Sequence, residues 1–186
     1  AGVPIAGPGD LWRAWALALG AARGPQPLAT FERLFRESYV PLALALARGL
    51  DDPRAIRAYA DFRDGFERSY GDASATFGAT NRRPRLVMDA FDIALRQARL
   101  HNARSAHLLC VDSMRYDLGT LVHRAFTERA GGRSLSATGE SILFAVPPTT
   151  TIRQLETLAR GVDALRAPAG GDAPESLRGR SAETVR

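Results

Sequence analysis

Two clusters of oxygen-bearing side chains stand where chemistry could be done. Asp112, Ser113, Arg115 and Asp117 close an apolar run, Ala106 to Val111. Thr149, Thr150 and Thr151 follow a second run, Ile142 to Val146, across Pro147 and Pro148. A carboxylate such as Asp112 can act as a hard oxygen ligand for a divalent metal. A threonine hydroxyl at the start of a helix can be a nucleophile once a metal lowers its pKa, and the helix N-terminus favours an anion. Arg115, Asp117, Thr149 and Thr150 lie close enough in sequence to shape the same site. The pattern suggests metal-assisted chemistry on a phosphate-like group.

Both clusters need elements that bring them together. Short apolar runs that stop abruptly in polar turns read as buried parallel strands. Between them, Tyr116 to Ala130 reads as a helix long enough for a right-handed parallel crossover, and Gly131 to Ser134 turns the chain back. Both polar turns then fall on one sheet edge, outside the carboxyl ends of the strands, where open α/β sheets bind ligands. The predicted class is α/β: a helical N-terminal region over 1–102, a partial parallel-sheet βαβα core over 103–166, and a flexible linker or tail over 167–186. That tail carries too little apolar content to fold alone.

The first hundred residues read as helices without a reacting constellation. After a Gly/Pro-rich opening, Leu11 to Leu19 forms an amphipathic helix stopped near Gly24-Pro25. Thr30 is a good N-cap for a second helix through Phe31, Leu34, Phe35 and Tyr39, which Pro41 should kink or split. Asp52-Pro53 is a strong start signal, a capping carboxylate followed by proline at the first helical position. Ile56, Tyr59, Phe62, Phe66 and Tyr70 then mark one broad apolar face, which reads as core packing. Gly71 to Arg83 reads as a polar loop, and Val87 to Ala98 as a further amphipathic helix leading into the first strand.

At 186 residues and 45% hydrophobic, the chain can bury one good core with a small appendage. A net charge of +5 invites a nucleic-acid surface, but all 25 basic residues are Arg, spread along the helices among Asp and Glu. Cys110, the one cysteine, falls in a predicted core strand as a small hydrophobe. No internal disulfide is possible, so a reducing, cytoplasmic setting is expected. No apolar run is long enough to span a bilayer, so no membrane partner is expected.

At the two clusters the sequence resembles a known family. Val111-Asp112-Ser113-Met114-Arg115-Tyr116-Asp117 is similar to the first metal-binding segment of the alkaline phosphatase superfamily, in its phosphodiesterase and PglZ-like branches. There an apolar strand runs into Asp-Gly-Met/Phe-Arg. Pro148-Thr149-Thr150-Thr151, with Gly161 beyond it, is similar to the Pro-Thr-x-Thr nucleophile segment and its trailing glycine. The resemblance covers Ala106 to Gly161 and departs from the pattern at Ser113, where glycine is common.

The resemblance implies Asp112 as a metal ligand and Thr151 as both nucleophile and second-site ligand, with Thr149, Thr150 and Arg115 around the substrate. Gln154 takes the place where the phosphodiesterase branch often has an Asn on the phosphoryl oxygens. It also implies a divalent metal cofactor, two Zn with Mn or Mg as substitutes, and a phosphate ester substrate. The PglZ-like branch is associated with bacterial phage defence, which implies nucleic acid as a partner through a larger complex. That family completes its metal sites with Asp and His downstream of the nucleophile. Here His101, His107 and His123 all precede Thr151. The expectation is therefore a piece of a longer polypeptide, with the C-terminal half of the core and its ligands beyond Arg186.

Plainer readings compete at each residue. Asp112 could be a helix cap or turn former, Thr150 or Thr151 an N-cap, and Arg115 a surface partner of Asp117 or Glu128. His107 and His123 read as structural. A hydroxyl one place along, Thr150, could replace Thr151 as nucleophile. At the level of the whole protein, a metal-dependent phosphohydrolase or phosphodiesterase stands against an inactive PglZ-like scaffold and an Arg-rich nucleic-acid-binding helical module.

Overall fold

The computed structural model describes residues 10–22, 24–79, 83–130 and 140–166; the predicted 1–9 opening, the 131–134 loop and the 167–186 tail lie outside them. The chain divides into two compact units, Ala1–Thr76 and Phe77–Arg186. The boundary expected from the sequence, between a helical region and the core, lay at 102/103.

The first unit is a set of helices: α1 (Leu11–Ala21), α2 (Leu28–Leu34), α3 (Val40–Ala47) and α4 (Pro53–Ser74). The signal at Asp52-Pro53 works as read. Asp52 has extended backbone, its carboxylate accepts from the Arg54 N–H at 2.8 Å, and Pro53 occupies the first helical position. Thr30 does not cap α2. That helix begins at Leu28 after Pro27, whose fixed φ of −59° sets up the first turn, and the Thr30 N–H donates to Pro27 O.

Pro41 stands in the first turn of α3, and the helical run from Leu28 is divided just ahead of it. It cannot donate to a carbonyl four residues back, and the chain widens just before it into a π turn, Phe35–Tyr39, where the Val40 N–H donates to Phe35 O. α3 then ends in a Schellman motif. Gly49, at φ 100°, lets Leu50 N–H reach Ala45 O and Gly49 N–H reach Leu46 O, both at 3.0 Å.

The aromatic face of α4 is core, as its spacing indicated. Phe31, Leu34, Leu42, Ala55 and Phe62 are buried together with Leu19 from α1. Phe31 meets Phe62 and Phe66 edge-on at 5.5 and 5.4 Å, while Tyr39 lies flat on Tyr59 at 4.6 Å. Burial first, and then the hydrogen bond with Tyr59, raises the Tyr39 phenol above its ordinary pKa. Ile56 departs from the pattern and is exposed.

The second unit holds a 3₁₀ turn (Val87–Asp89), α5 (Ala90–Leu100), α6 (Tyr116–Ala130), α7 (Thr151–Arg160) and the short α8 (Asp163–Arg166). Among the described residues the expected βαβα sheet is absent, and the α/β class is corrected to a helical one. Among the described residues the one β-type pairing is an isolated parallel bridge, Leu86 with Phe144. It is closed by Val87 N–H to Phe144 O at 3.0 Å and Phe144 N–H to Arg85 O at 2.8 Å.

So the second apolar run does lie extended, but against 85–87 rather than against 106–111. The first run, 106–111, forms no strand, and Leu109, Cys110 and Val111 are exposed rather than buried. A strand is stable only when its backbone groups find a neighbouring strand, and an apolar run carries no information about whether one is there. Nor does α5 lead directly into that run. It stops in its own Schellman motif, with Asn102 left-handed at φ 54° and Ala103 N–H on Ala98 O at 2.8 Å.

Among the described residues the buried side chains of this unit are Phe77, Leu86, Met88, Phe91, Val146, Arg153, Thr157, Leu158 and Ala164. α7 packs on the 3₁₀ turn and on α8. Arg83 fixes that turn by a bidentate pair with Asp89 at 2.7 and 2.8 Å, while Asp89 also accepts from the Leu86 N–H. α6 has the predicted bounds, yet Leu118, Leu121, Val122 and Phe126 along it are exposed.

Candidate functional site around Asp112 and Thr151

The two residues singled out from opposite clusters meet. Thr151 Oγ1 donates to Asp112 Oδ1 at 2.9 Å, across 39 residues of chain. Thr151 is the first residue of α7, and Thr150 before it is the N-cap, with extended backbone and its hydroxyl accepting from Arg153 N–H at 3.3 Å. The two threonines thus have separate tasks: Thr150 faces its own helix, and Thr151 faces Asp112. Thr149 is exposed beside them.

Asp112 sits on a tight, unusual turn. Its Oδ1 also accepts the Ser113 N–H at 2.8 Å, and Ser113 has φ 57°. The left-handed region costs an ordinary L-residue about 1–2 kcal/mol, whereas glycine enters it freely.

Arg115 forks onto Asp117, Nε to Oδ1 at 3.0 Å and Nη2 to Oδ2 at 2.9 Å, which is the surface pairing weighed above. The guanidinium is mostly exposed and the carboxylate mostly covered, with side-chain exposures of 68% and 15%. In this arrangement Arg115 shields Asp117 and is not aimed at Thr151.

Gln154 makes contacts that sequence reasoning missed. Its carboxamide reaches back from the first turn of α7 and pairs with both backbone groups of Val146. Oε1 accepts from Val146 N–H at 2.9 Å, and Nε2 donates to Val146 O at 2.8 Å and to Pro148 O at 3.4 Å. The turn it spans contains a cis Pro147-Pro148 bond. The Pro-Pro pair was the available signal, since proline is where cis bonds occur. Also unforeseen is the Tyr116 hydroxyl donating to Glu140 at 2.7 Å.

Beneath α7, Arg153 is nearly buried and bonds Glu156 at 2.7 Å and Ala164 O at 2.8 Å, tying α8 to α7. Arg153, and then Arg160, hold the Glu156 carboxyl below its usual range. α7 ends where the pattern placed its glycine: Gly161, at φ 63°, donates to Thr157 O at 2.8 Å.

Asp112 and Thr151 offer two hard oxygen donors at one point. Among the described residues no group of three or more His, Cys, Asp or Glu side chains could hold a metal ion. His101, His107 and His123 are exposed. A zinc site takes at least three protein ligands, so these residues do not by themselves fit the two-zinc centre that the resemblance implies. Comparison with protein-family models, with curated proteins and with solved structures found no match. Among the described residues no helix is long and apolar enough to cross a membrane.

Proposed function

We propose that this chain carries the nucleophile-bearing part of a phosphoester-processing site, with Thr151 as the nucleophile and Asp112 as its partner. One observation supports the reading above all others: the Thr151 hydroxyl donates to the Asp112 carboxylate at 2.9 Å although 39 residues separate them. A hydroxyl bonded to a carboxylate is oriented and has a proton acceptor in contact. Its place at the first residue of α7 puts the attacking oxygen next to backbone N–H groups that favour the phosphoryl oxygens.

In the proposed reaction Thr151 Oγ1 attacks phosphorus in line and its proton passes to Asp112. The ester bond breaks, and the leaving alkoxide takes a proton from solvent water as it departs. Water then attacks the phosphothreonine and gives its proton to solvent, while Asp112 returns its proton to Thr151 Oγ1 as that P–O bond breaks. The assignment to the alkaline phosphatase superfamily, its PglZ-like branch and nucleic acid as the wider target belongs to this proposal. So does a divalent metal, which Asp112 and Thr151 alone do not hold.

The test is hydrolysis of a bis-aryl phosphodiester and an aryl phosphomonoester by wild type, Asp112→Ala and Thr151→Ala, with metal content and phosphothreonine followed alongside. The proposal expects phosphate on the Thr151 peptide and no turnover by Thr151→Ala. It expects a loss of about 10²–10⁴-fold for Asp112→Ala, the usual worth of a positioned proton acceptor. A wild type that cleaves neither ester and never carries phosphate on Thr151 rules it out.

A second reading, an interaction domain, is favoured by the exposed Leu109, Val111, Leu121, Val122 and Phe126. It predicts that wild type and Thr151→Ala are alike in every assay of phosphate chemistry.

A further inference from the structure

The turn that presents Thr151 has two fixed ends, and one side chain joins them. Val146, 4% exposed, is the last residue of the extended run and is anchored in the core of its unit. Gln154 lies in the first turn of α7. Between them the chain passes through cis Pro147-Pro148, and Thr150 N–H donates to Pro148 O at 2.9 Å.

The Gln154 carboxamide closes this loop by satisfying the N–H and the C=O of the same residue, Val146, at 2.9 and 2.8 Å. Only a side chain with an acceptor and a donor held side by side can do that. Asparagine is one methylene short. An ionised glutamate would keep the bond to Val146 N–H but set an oxygen against Val146 O. The same contacts commit the carboxamide, so it is not free for the phosphoryl oxygens, the place the resemblance gives it.

We propose that Gln154 is the positioning residue for Thr151: by clamping Val146 and Pro148 to the start of α7, its carboxamide holds the Thr151 hydroxyl against Asp112. This rests on the reading of Asp112 and Thr151 as a working pair, although the clamp can be tested without any turnover. The clamp acts by removing freedom from the turn, so that the hydroxyl and carboxylate spend their time in contact rather than passing through it. Gln154 touches neither of the two groups; it sets where one of them stands.

Disulfide trapping reads that proximity directly. With Cys110→Ser to remove the native thiol, Asp112→Cys and Thr151→Cys place two thiols at the pair, and their rate of closure in a glutathione redox buffer reports how often they meet. Gln154→Leu and Gln154→Glu are compared in this background, with Leu158→Ala as a control that lowers stability at a buried position of α7 and removes none of the Gln154 hydrogen bonds.

The proposal expects closure in the background and about a tenfold slower rate with Gln154→Leu. Gln154→Glu, which retains one bond of the clamp, falls between. Leu158→Ala stays within about twofold of the background while melting earlier. The proposal is overturned if the thiols never close, if Gln154→Leu closes as fast as the background, or if Leu158→Ala slows closure as much. Failure of the hydrolysis assay leaves these rates untouched, so the clamp and the proposed reaction fail separately.

Discussion

The first unit and α6 of the second use apolar residues in opposite ways. In the first, α4 lays Phe62 and Phe66 against Phe31, and its core contains no pair of groups poised to react. In the second, α6 carries Leu118, Leu121, Val122 and Phe126 in the open, and shortly before it stands Asp112, whose carboxylate accepts from the Thr151 hydroxyl across 39 residues. Apolar side chains packed on one another define a single arrangement. Where packing is thin, specific polar bonds have to set the geometry, and at Thr151 a hydroxyl and a carboxamide do so.

The contrast is sharpest between two phenylalanines. Phe62→Ala, at a buried position, should destabilise the first unit by about 3–5 kcal/mol. Phe126→Ala, at a position 49% exposed, should change stability by less than about 0.5 kcal/mol. Chemical denaturation of both variants checks this. A large loss at Phe126 would mean that α6 is covered in solution, and the contrast between the units would fall.

Smaller effects probe the polar frame. Thr150→Ala removes the cap of α7 and should cost about 0.5–1 kcal/mol in a thermal melt. It should leave trapping of the Asp112 and Thr151 positions within about twofold, since each threonine has its own partner. Ser113→Gly should stabilise by about 0.5–1 kcal/mol, because glycine adopts φ 57° without the Cβ penalty. A loss there would mean the Ser113 side chain holds the turn in some further way.

The least of these effects is an acid dependence confined to the first unit. The Arg54 guanidinium, hydrogen-bonded to Asp52, holds that carboxyl at about 2 against an ordinary 3.8. A depressed pKa means that the folded state favours the charged form. The contribution is therefore present above pH 3.8 and is lost as pH falls through about 2. Asp52→Asn should flatten the acid dependence of helicity over that window, measured by circular dichroism, and should not alter it near neutrality.

Legibility followed the distance over which each feature is decided. Asp52-Pro53 and the bounds of α6 were readable, and a cap at Thr150 or Thr151 was among the readings, because each is settled within a turn or two of helix. The π turn before Pro41 and the left-handed Asn102 are also local, but each is one of several ways the same residues can end or bend a helix. The sheet was misread for a different reason. Ala106 to Val111 has the composition of a buried strand, and composition does not say whether a partner edge exists. Phe144 found one in Leu86, and 106–111 found none.

The candidate site divides along the same line. By itself the sequence determined which residues could react, a carboxylate after one apolar run and a hydroxyl at the head of a helix, because side-chain chemistry and helix capping are properties of a few neighbouring residues. The tertiary structure alone decided that Asp112 reaches Thr151 and not Thr150, and that Gln154 is spent on Val146. Each of those outcomes is a competition among donors and acceptors on different segments of the chain, and only the folded backbone, by fixing who is within 3 Å of whom, settles it.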